Sequence, residues 1–427
     1  MDAKSNFGKH GWWVILTEAL FMWVGTGVQI QGLNIIIPTI SASYGIDSKL
    51  LLFWATPASW GSVLAAFLLG KLCDTWGAKQ TAVLSLICAA ICFGLLGMCG
   101  SLTGFTVLLF GVSLFASGYA FPGGLTLIAN WFPRKKELAL GYATMGSTLS
   151  SALFIPVFAG LVIGLGPLNG FWAISAVMMI LAFSTTFFIH NLPEEVGCTP
   201  DNITMSAEQI AESRRLQAES QKHSSLTMWQ LLRMRDVWLL SLITGGMYIM
   251  VVGVQSQVIT RLMSFGHDQN TAILYWTIAA IIGLPCGYGW GWLGQKLGIR
   301  RSYIIYTVWW VVAIIMNIFS QYNVCFWISL MMIGISLGGS SNYATAIIAE
   351  KFRRATFIKA YRVIAPIQGI LRCCSFSILA FGLTYLGGYT GAYAIFAAIG
   401  VVTLILIFLV NLTPVEMTVA SGHGESV

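Results

Sequence analysis

Apolar residues run through this chain in long blocks. A hydrocarbon core about 30 Å thick takes about 20 such residues per helix to cross. Twelve blocks can be marked off: 12–37, 50–70, 80–100, 104–130, 138–165 and 168–190, then 237–260, 270–293, 302–320, 324–349, 358–385 and 389–411. Between the sixth and seventh lies the one long interval without an apolar run. There Pro193 and Pro200 break the preceding helix, and MSAEQIAESRRLQAESQKHSS mixes acidic and basic residues with good helix formers. That reads as a solvated loop, either partly helical or an unstructured tether. Its end, LTMWQLLRMRD, sets Trp229 and Leu232 among Arg233 and Arg235, the pattern of a helix lying along a membrane surface. The expectation is an all-α membrane protein with twelve transmembrane helices in two six-helix bundles. Their bounds are 1–190 and 237–411, with a central loop over 191–236 and a tail over 412–427.

Composition agrees with the pattern: 9% of the residues are charged and 57% hydrophobic, far from the balance of a soluble domain. The opening MDAKSNFGKHG is too short and polar for a cleavable signal, and a full-length run follows it, so a retained first helix is expected. Of the 23 Lys and Arg, Arg362 and Arg372 fall inside a run and Lys49 and Arg261 on the side away from the termini. The other nineteen fall on the side of the termini. The positive-inside rule then predicts a multi-pass protein of a plasma or bacterial inner membrane with both termini cytoplasmic. The net charge of +7 reflects this topology and contact with anionic lipid, and no basic and aromatic surface is left for a nucleic acid.

Catalytic and metal chemistry find little support. The five His all fall at loops or ends, the nine Cys show no metal spacing, and no phosphate-binding GxxxxGK[ST] run occurs. No cofactor is implied, and the chain reads as a non-enzyme. A receptor would need an output domain, for which the tail is too short.

Polar residues inside the apolar runs are the informative ones, because ionisable or amide groups there are expensive and face a bundle interior or an aqueous cavity. Glu18 and Gln29 in the first run are candidates, Glu18 as a proton site. The competing reading is that Glu18 reaches back to the interface. Gln31 and Asn34 are assigned to hydrogen bonds between helices. The eleventh run holds Arg372 about fourteen residues in, with Gln368 one turn before it on the same face. Arg372 faces either an anion or an internal partner. Tyr248 and Asn342, with Tyr288, are further candidate contacts.

The turn after the second run reads GKLCDTWGAK, and GWGWLGQKLGIRR follows the eighth at matching offsets. The first resembles the loop signature of the major facilitator superfamily, G-x-L-x-D-x-x-G-x-[RK], in which two bundles rock about a midplane site. The resemblance assigns Gly70, Asp74, Gly77 and Lys79 to gating, with Gln295 standing where the second copy would carry its acid. NWFPRKK after the fourth run, GVQ in the first, GGSSNYAT in the tenth and LPEEVG after the sixth resemble the oxalate/formate antiporter and monocarboxylate-transporter branch. In that comparison Gln29 matches a ligand-contact position, while the branch's two cations fall at Gly287 and near Gly369. Its aromatic cage positions fall at Leu337, Ser341 and Ser147. The smaller residues imply room for a substrate larger than a two-carbon dianion.

The expected function is secondary transport of a small organic anion, a carboxylate, by antiport or proton symport, the chain acting as a monomer in the lipid bilayer. Arg372 is its counter-ion, and Gln29, Gln368, Tyr248 and Asn342 orient it. The alternative is an exporter of neutral or amphipathic compounds, favoured if Arg372 faces a carboxylate of the protein itself.

Overall fold

The computed structural model describes residues 7–133, 135–202, 228–352 and 354–414, so the middle of the central loop and most of the tail lie outside the described residues. The first part of the chain forms α1 (Gly8–Thr26), α2 (Leu33–Tyr44), α3 (Ser48–Ser59), α4 (Gly61–Trp76), α5 (Ala78–Leu96), α6 (Leu102–Gly118), α7 (Gly124–Trp131), α8 (Lys136–Leu165) and α9 (Pro167–Phe188). After the loop come α10 (Met228–Arg233), α11 (Arg235–Ser256), α12 (Val258–Met263), α13 (Gln269–Leu297), α14 (Ile299–Ile318), α15 (Asn323–Ser336), α16 (Ser340–Lys351), α17 (Arg354–Tyr385) and α18 (Tyr389–Leu409). Two π-helical segments, Gly27–Gln31 and Tyr119–Gly123, link α1 to α2 and α6 to α7. Among the described residues there is no strand, and eleven helical stretches are long and apolar enough to cross a membrane. The remaining expected crossing, 324–349, the tenth in order, is present as α15 and α16, which break at 337–339.

The chain forms two compact units. The first comprises Met1–Met205, Val254–Ile281 and Phe376–Gly387, the second Ser206–Gly253, Ile282–Ser375 and Gly388–Val427. Apolar helices gain nothing from hydrophobicity in lipid, so small residues that let backbones approach hold them together. In the first unit Gly94 of α5 and Gly97 just after its end lie under the rings of Trp172 and Phe171 of α9. Beside them Phe93, Phe154, Phe158 and Phe171 form a chain of rings with centroids 5.2 to 5.9 Å apart. Gly146 of α8 packs directly on the Ala19 carbonyl of α1.

Gln31 and Asn34 form hydrogen bonds between helices, as their positions suggested. The break between α11 and α12 falls at Gln257, whose backbone is non-helical (φ −134°, ψ 20°). Asn34 closes that break from both sides, donating Nδ2 to the Gln255 carbonyl at 2.7 Å and accepting from the Ile259 N–H at 3.0 Å. Gln31 donates Nε2 to Ser151 Oγ at 2.8 Å and to Gln255 Oε1 at 3.0 Å. All of these groups are buried in the first unit. Asn34→Leu therefore leaves two buried backbone groups unmatched, each worth about 1–3 kcal/mol. The expected result is a melting temperature several degrees lower, measured on purified protein. A melting curve that matches wild type would refute the role assigned to Asn34.

In the second unit the break in the tenth crossing has an equally specific cause. Gly283 and Gly287 of α13 meet Gly334 and Gly338 backbone to backbone, so a Cβ built on Gly338 would lie 2.6 Å from the Gly287 Cα. The carbonyls at this bend are taken by aromatic donors from neighbouring helices. Trp309 Nε1 donates to Met332 O at 2.9 Å, Trp290 Nε1 to Ile335 O at 2.9 Å and Tyr306 OH to Ser336 O at 2.7 Å. A non-helical stretch is tolerated in a span only where its backbone groups are matched in this way. Gly287 is thus filled by a neighbouring backbone, and the space expected for a larger substrate at this position is absent.

Candidate substrate-binding site and the repeated turns

Arg372 sits eighteen residues into α17, about 27 Å along the axis from Arg354 at 1.5 Å per residue. Its side chain is half-buried and close enough to the Tyr248 and Tyr361 hydroxyls to act on both electrostatically. The contact follows from helix packing: Gly245 of α11 lies against Leu371 of α17, with a built Cβ only 2.9 Å from the Leu371 Cβ. That close approach carries Tyr248, one turn further along α11, to the level of Arg372. Behind them the buried Tyr303, Tyr306, Tyr343 and Trp290 pack ring on ring, with Tyr303 and Tyr343 stacked at 5.5 Å. These four are core.

Gln368, one turn before Arg372, keeps its Oε1 buried and without a hydrogen-bond partner. The described carboxylates of this unit lie elsewhere. Asp236 pairs with Lys351 Nζ at 2.7 Å in a mostly buried bridge, and Glu350 is exposed beside that same Lys351 at the end of α16. Both are therefore near the start of α17, more than four helical turns from Arg372.

The structure brings Tyr248 within electrostatic reach of Arg372, with Gln368 one turn before it on the same helix. Asn342 is exposed, and its Nδ2 donates to the Gly338 carbonyl at the bend before its helix at 3.3 Å. Gln29 belongs to the first unit, where its buried Oε1 accepts from Ser117 Oγ at 3.1 Å. Tyr288 is 82% exposed. Tyr361 was missed, although it lies eleven residues before Arg372, three helical turns away on the same face.

Glu18 does not reach back to an interface. It is 1% exposed in α1, and neither carboxyl oxygen has a hydrogen-bond partner.

The two turn motifs adopt the same backbone. Gly77 (φ 106°, ψ 154°) and Gly298 (φ 80°, ψ 153°) each occupy a conformation open to glycine and strained for other residues. Each turn is tied to the last helix of its own half, by different atoms. The Lys79 N–H donates to Asn191 Oδ1 at 2.8 Å just after α9, and Asn191 Nδ2 donates to Gln80 at 2.9 Å. At the matching position Arg300 donates through one guanidinium nitrogen to the carbonyls of Ile407, Phe408 and Val410 at the end of α18. Asp74 is exposed and has no ion pair among the described residues, Gly70 has open space around it, and Gln295 is exposed.

Comparison with known proteins agrees with this geometry. Two Mycobacterium tuberculosis proteins, from strains CDC 1551 / Oshkosh and ATCC 25618 / H37Rv, are each described as an uncharacterized MFS-type transporter. Each is 30% identical over 166 residues, 37% of this chain and 36% of its own length. The match thus spans little more than a third of these relatives. Among solved structures, a bacterial homolog of the human lysosomal transporter Spinster superposes with a TM-score of 0.73 at 14% identity, covering 96% of this chain and 98% of its own. A D-xylose-proton symporter gives 0.70 at 14% over 94% and 97%, and a nucleoside transporter 0.70 at 12% over 93% and 99%. At such identities the likeness is one of fold. Residues 19–371 match the family described as Major Facilitator Superfamily. With helices, repeated turns and family match in accord, the chain belongs to the major facilitator superfamily and is a multi-pass membrane protein.

Proposed function

We propose that this transporter carries an organic anion, a monocarboxylate, by alternating access, with Arg372 as counter-ion of the substrate. The observation that supports the reading is a guanidinium deep in α17 within electrostatic reach of two tyrosine hydroxyls. A charge inside a span meets water, an acid or a ligand. A carboxylate substrate would be such a ligand. Tyr248, Tyr361 and Gln368 would orient it by hydrogen bonds, and Gln368 Oε1 has a valence to spare. Asn342 and Gln29 enter the reading through sequence position and resemblance alone. One cation in place of the two of the oxalate/formate branch favours a single negative charge. The alternative, an exporter of neutral or amphipathic compounds, would need an internal acid for Arg372.

The test is a thermal-shift panel on purified protein with benzoate, succinate and glycocholate against benzamide and succinamide. Saturation at about 100 times Kd stabilises by about 2.7 kcal/mol, a rise of several degrees. A rise with at least one carboxylate, and none with the amides, is expected. Equal responses to acids and amides, or no response to any acid, would overturn the reading.

A further inference from the structure

Asn34 takes the place of a peptide group in a helix to which it does not belong. In an unbroken helix each N–H donates to the carbonyl four residues back, so the Ile259 N–H would donate to the Gln255 carbonyl. These are the two groups that Asn34 holds instead: its Nδ2 donates to Gln255 O, and its Oδ1 accepts from the Ile259 N–H. A side-chain amide offers a donor and an acceptor side by side, as a peptide unit does, whereas neither Asp nor Leu could serve both groups. The remaining Asn34 donor position is taken up by the Gln31 carbonyl at 3.0 Å, which fixes the amide plane. With an amide inserted between Gln255 and Ile259, the chain gives way at Gln257, between α11 and α12.

The grip on this break comes from the start of α2 and the π-helical turn before it. Gln31 holds the Gln255 side chain, and Gln257 Nε2 donates to the Leu33 carbonyl at 3.4 Å, so the break is met on both flanks. Asn34, Gln31, Gln255 and Gln257 are all buried. The π-helical segment Gly27–Gln31, which joins α2 to α1, is closed by the Gly32 N–H donating to Gly27 O at 2.6 Å, and turns of this kind recur at functional sites. The gripped helix changes company just here: α11 starts in the second unit and enters the first at Val254, one turn before the break.

Two arrangements therefore satisfy both backbone groups. With Asn34 in place, Gln255 O and the Ile259 N–H bond to its amide. With Asn34 withdrawn they bond to each other, the helix runs on from Arg235 to Met263, and the amide turns to the water that its departure admits. Any arrangement between these strands a buried carbonyl and a buried N–H, which is costly inside a span. That gap between two satisfied forms is what makes a two-state element.

We propose that Asn34 is a gating residue: its amide holds the α11–α12 break while α2 lies against it, and the helix closes over Gln257 into one piece each time α2 draws away. Its use as a gate rests on the alternating-access reading above; the exchange of hydrogen bonds does not.

Thiol labelling at the break tests the exchange and needs no substrate. Val258 is 4% exposed, so in Val258→Cys a maleimide reaches the thiol only when α2 leaves. With the protein in lipid nanodiscs, mass spectrometry of the peptide that carries residue 258 separates this site from the nine native cysteines. Adding Asn34→Leu should speed labelling by about tenfold or more, because only the broken form loses its bonds. The sharper comparison is at Gln257, which lies in a turn in one arrangement and inside a helix in the other. Ala and Gly both remove the bond to Leu33, so the pair isolates helix propensity, which favours Ala by about fivefold in a helix interior. Gln257→Ala should therefore label about fivefold faster than Gln257→Gly. If Asn34 were only a structural tie, the thiol would be exposed by local unfolding, and glycine, the weaker helix former, would label as fast as alanine or faster. That order, or an Asn34→Leu rate equal to wild type, would overturn the proposal. Gating is read with whichever panel carboxylate gives an Arg372-dependent shift: its uptake should be lost in Asn34→Leu, whose contact no longer reseals, and uptake at the wild-type rate would overturn the gating role. If no panel compound depends on Arg372, the anion reading fails by that result, and the labelling order still decides the exchange at Asn34.

Discussion

Arg372→Ala is expected to abolish substrate uptake into proteoliposomes while the protein still inserts, expresses and elutes as a single species. The charge is expensive where it stands. Even on the lenient insertion scale a central arginine costs about 2.5–3.5 kcal/mol, so removing it eases insertion. The substrate loses its counter-ion, and truncating one member of a desolvated, hydrogen-bonded charge pair costs about 2–5 kcal/mol of binding. That is a loss of affinity between about thirtyfold and several thousandfold. Arg372→Lys should keep part of the activity, since the charge remains and the planar two-pronged contact does not. Uptake by Arg372→Ala at the wild-type rate would end the anion-site reading. A misfolded Arg372→Ala would mean that the guanidinium braces α17 against α11 through Tyr248.

Gly338→Val is expected to be the most damaging single substitution in the second unit. The Gly338 Cβ position is 2.6 Å from the Gly287 Cα and 2.7 Å from the Gly287 N, so the obstacle is backbone, which no rotamer change can clear. Overpacking a core typically costs about 1–3 kcal/mol, and a clash between two main chains belongs at or beyond the upper end. Separating α13 from the bend at 337–339 would also draw Trp290 away from the Ile335 carbonyl. Size-exclusion profile and melting temperature are the readouts. Aggregation, or a melting point lower by about 5 °C or more, is expected for Gly338→Val, with a smaller loss for Gly338→Ala. A folded Gly338→Val with the wild-type melting point would show that the two helices are not in contact through these glycines.

What the sequence by itself determined was whatever depends on local length and periodicity. A helix that crosses lipid must be about 20 apolar residues long, so the number, order and bounds of the crossings could be counted, and the glycine-punctuated turns disclosed the internal repeat and the family. The bonding roles of Gln31 and Asn34 were foreseen for the same reason, since a polar group in a span must find an answer inside the protein, whereas the sequence left Glu18 open between burial and the interface. Tertiary structure decided everything that depends on which faces meet. Gly287 looked like vacant space in a site because a glycine in sequence carries no record of the backbone that fills it, here Gly338. Asn342 and Gln29 were picked out by sequence position and resemblance, and only packing discloses that they bond to Gly338 and Ser117. Asn191, which ties the first turn to α9, showed no motif of its own, and the repeat that contains Arg300 did not disclose its bonds to α18: their partners lie more than a hundred residues away in sequence and are brought beside them only by packing.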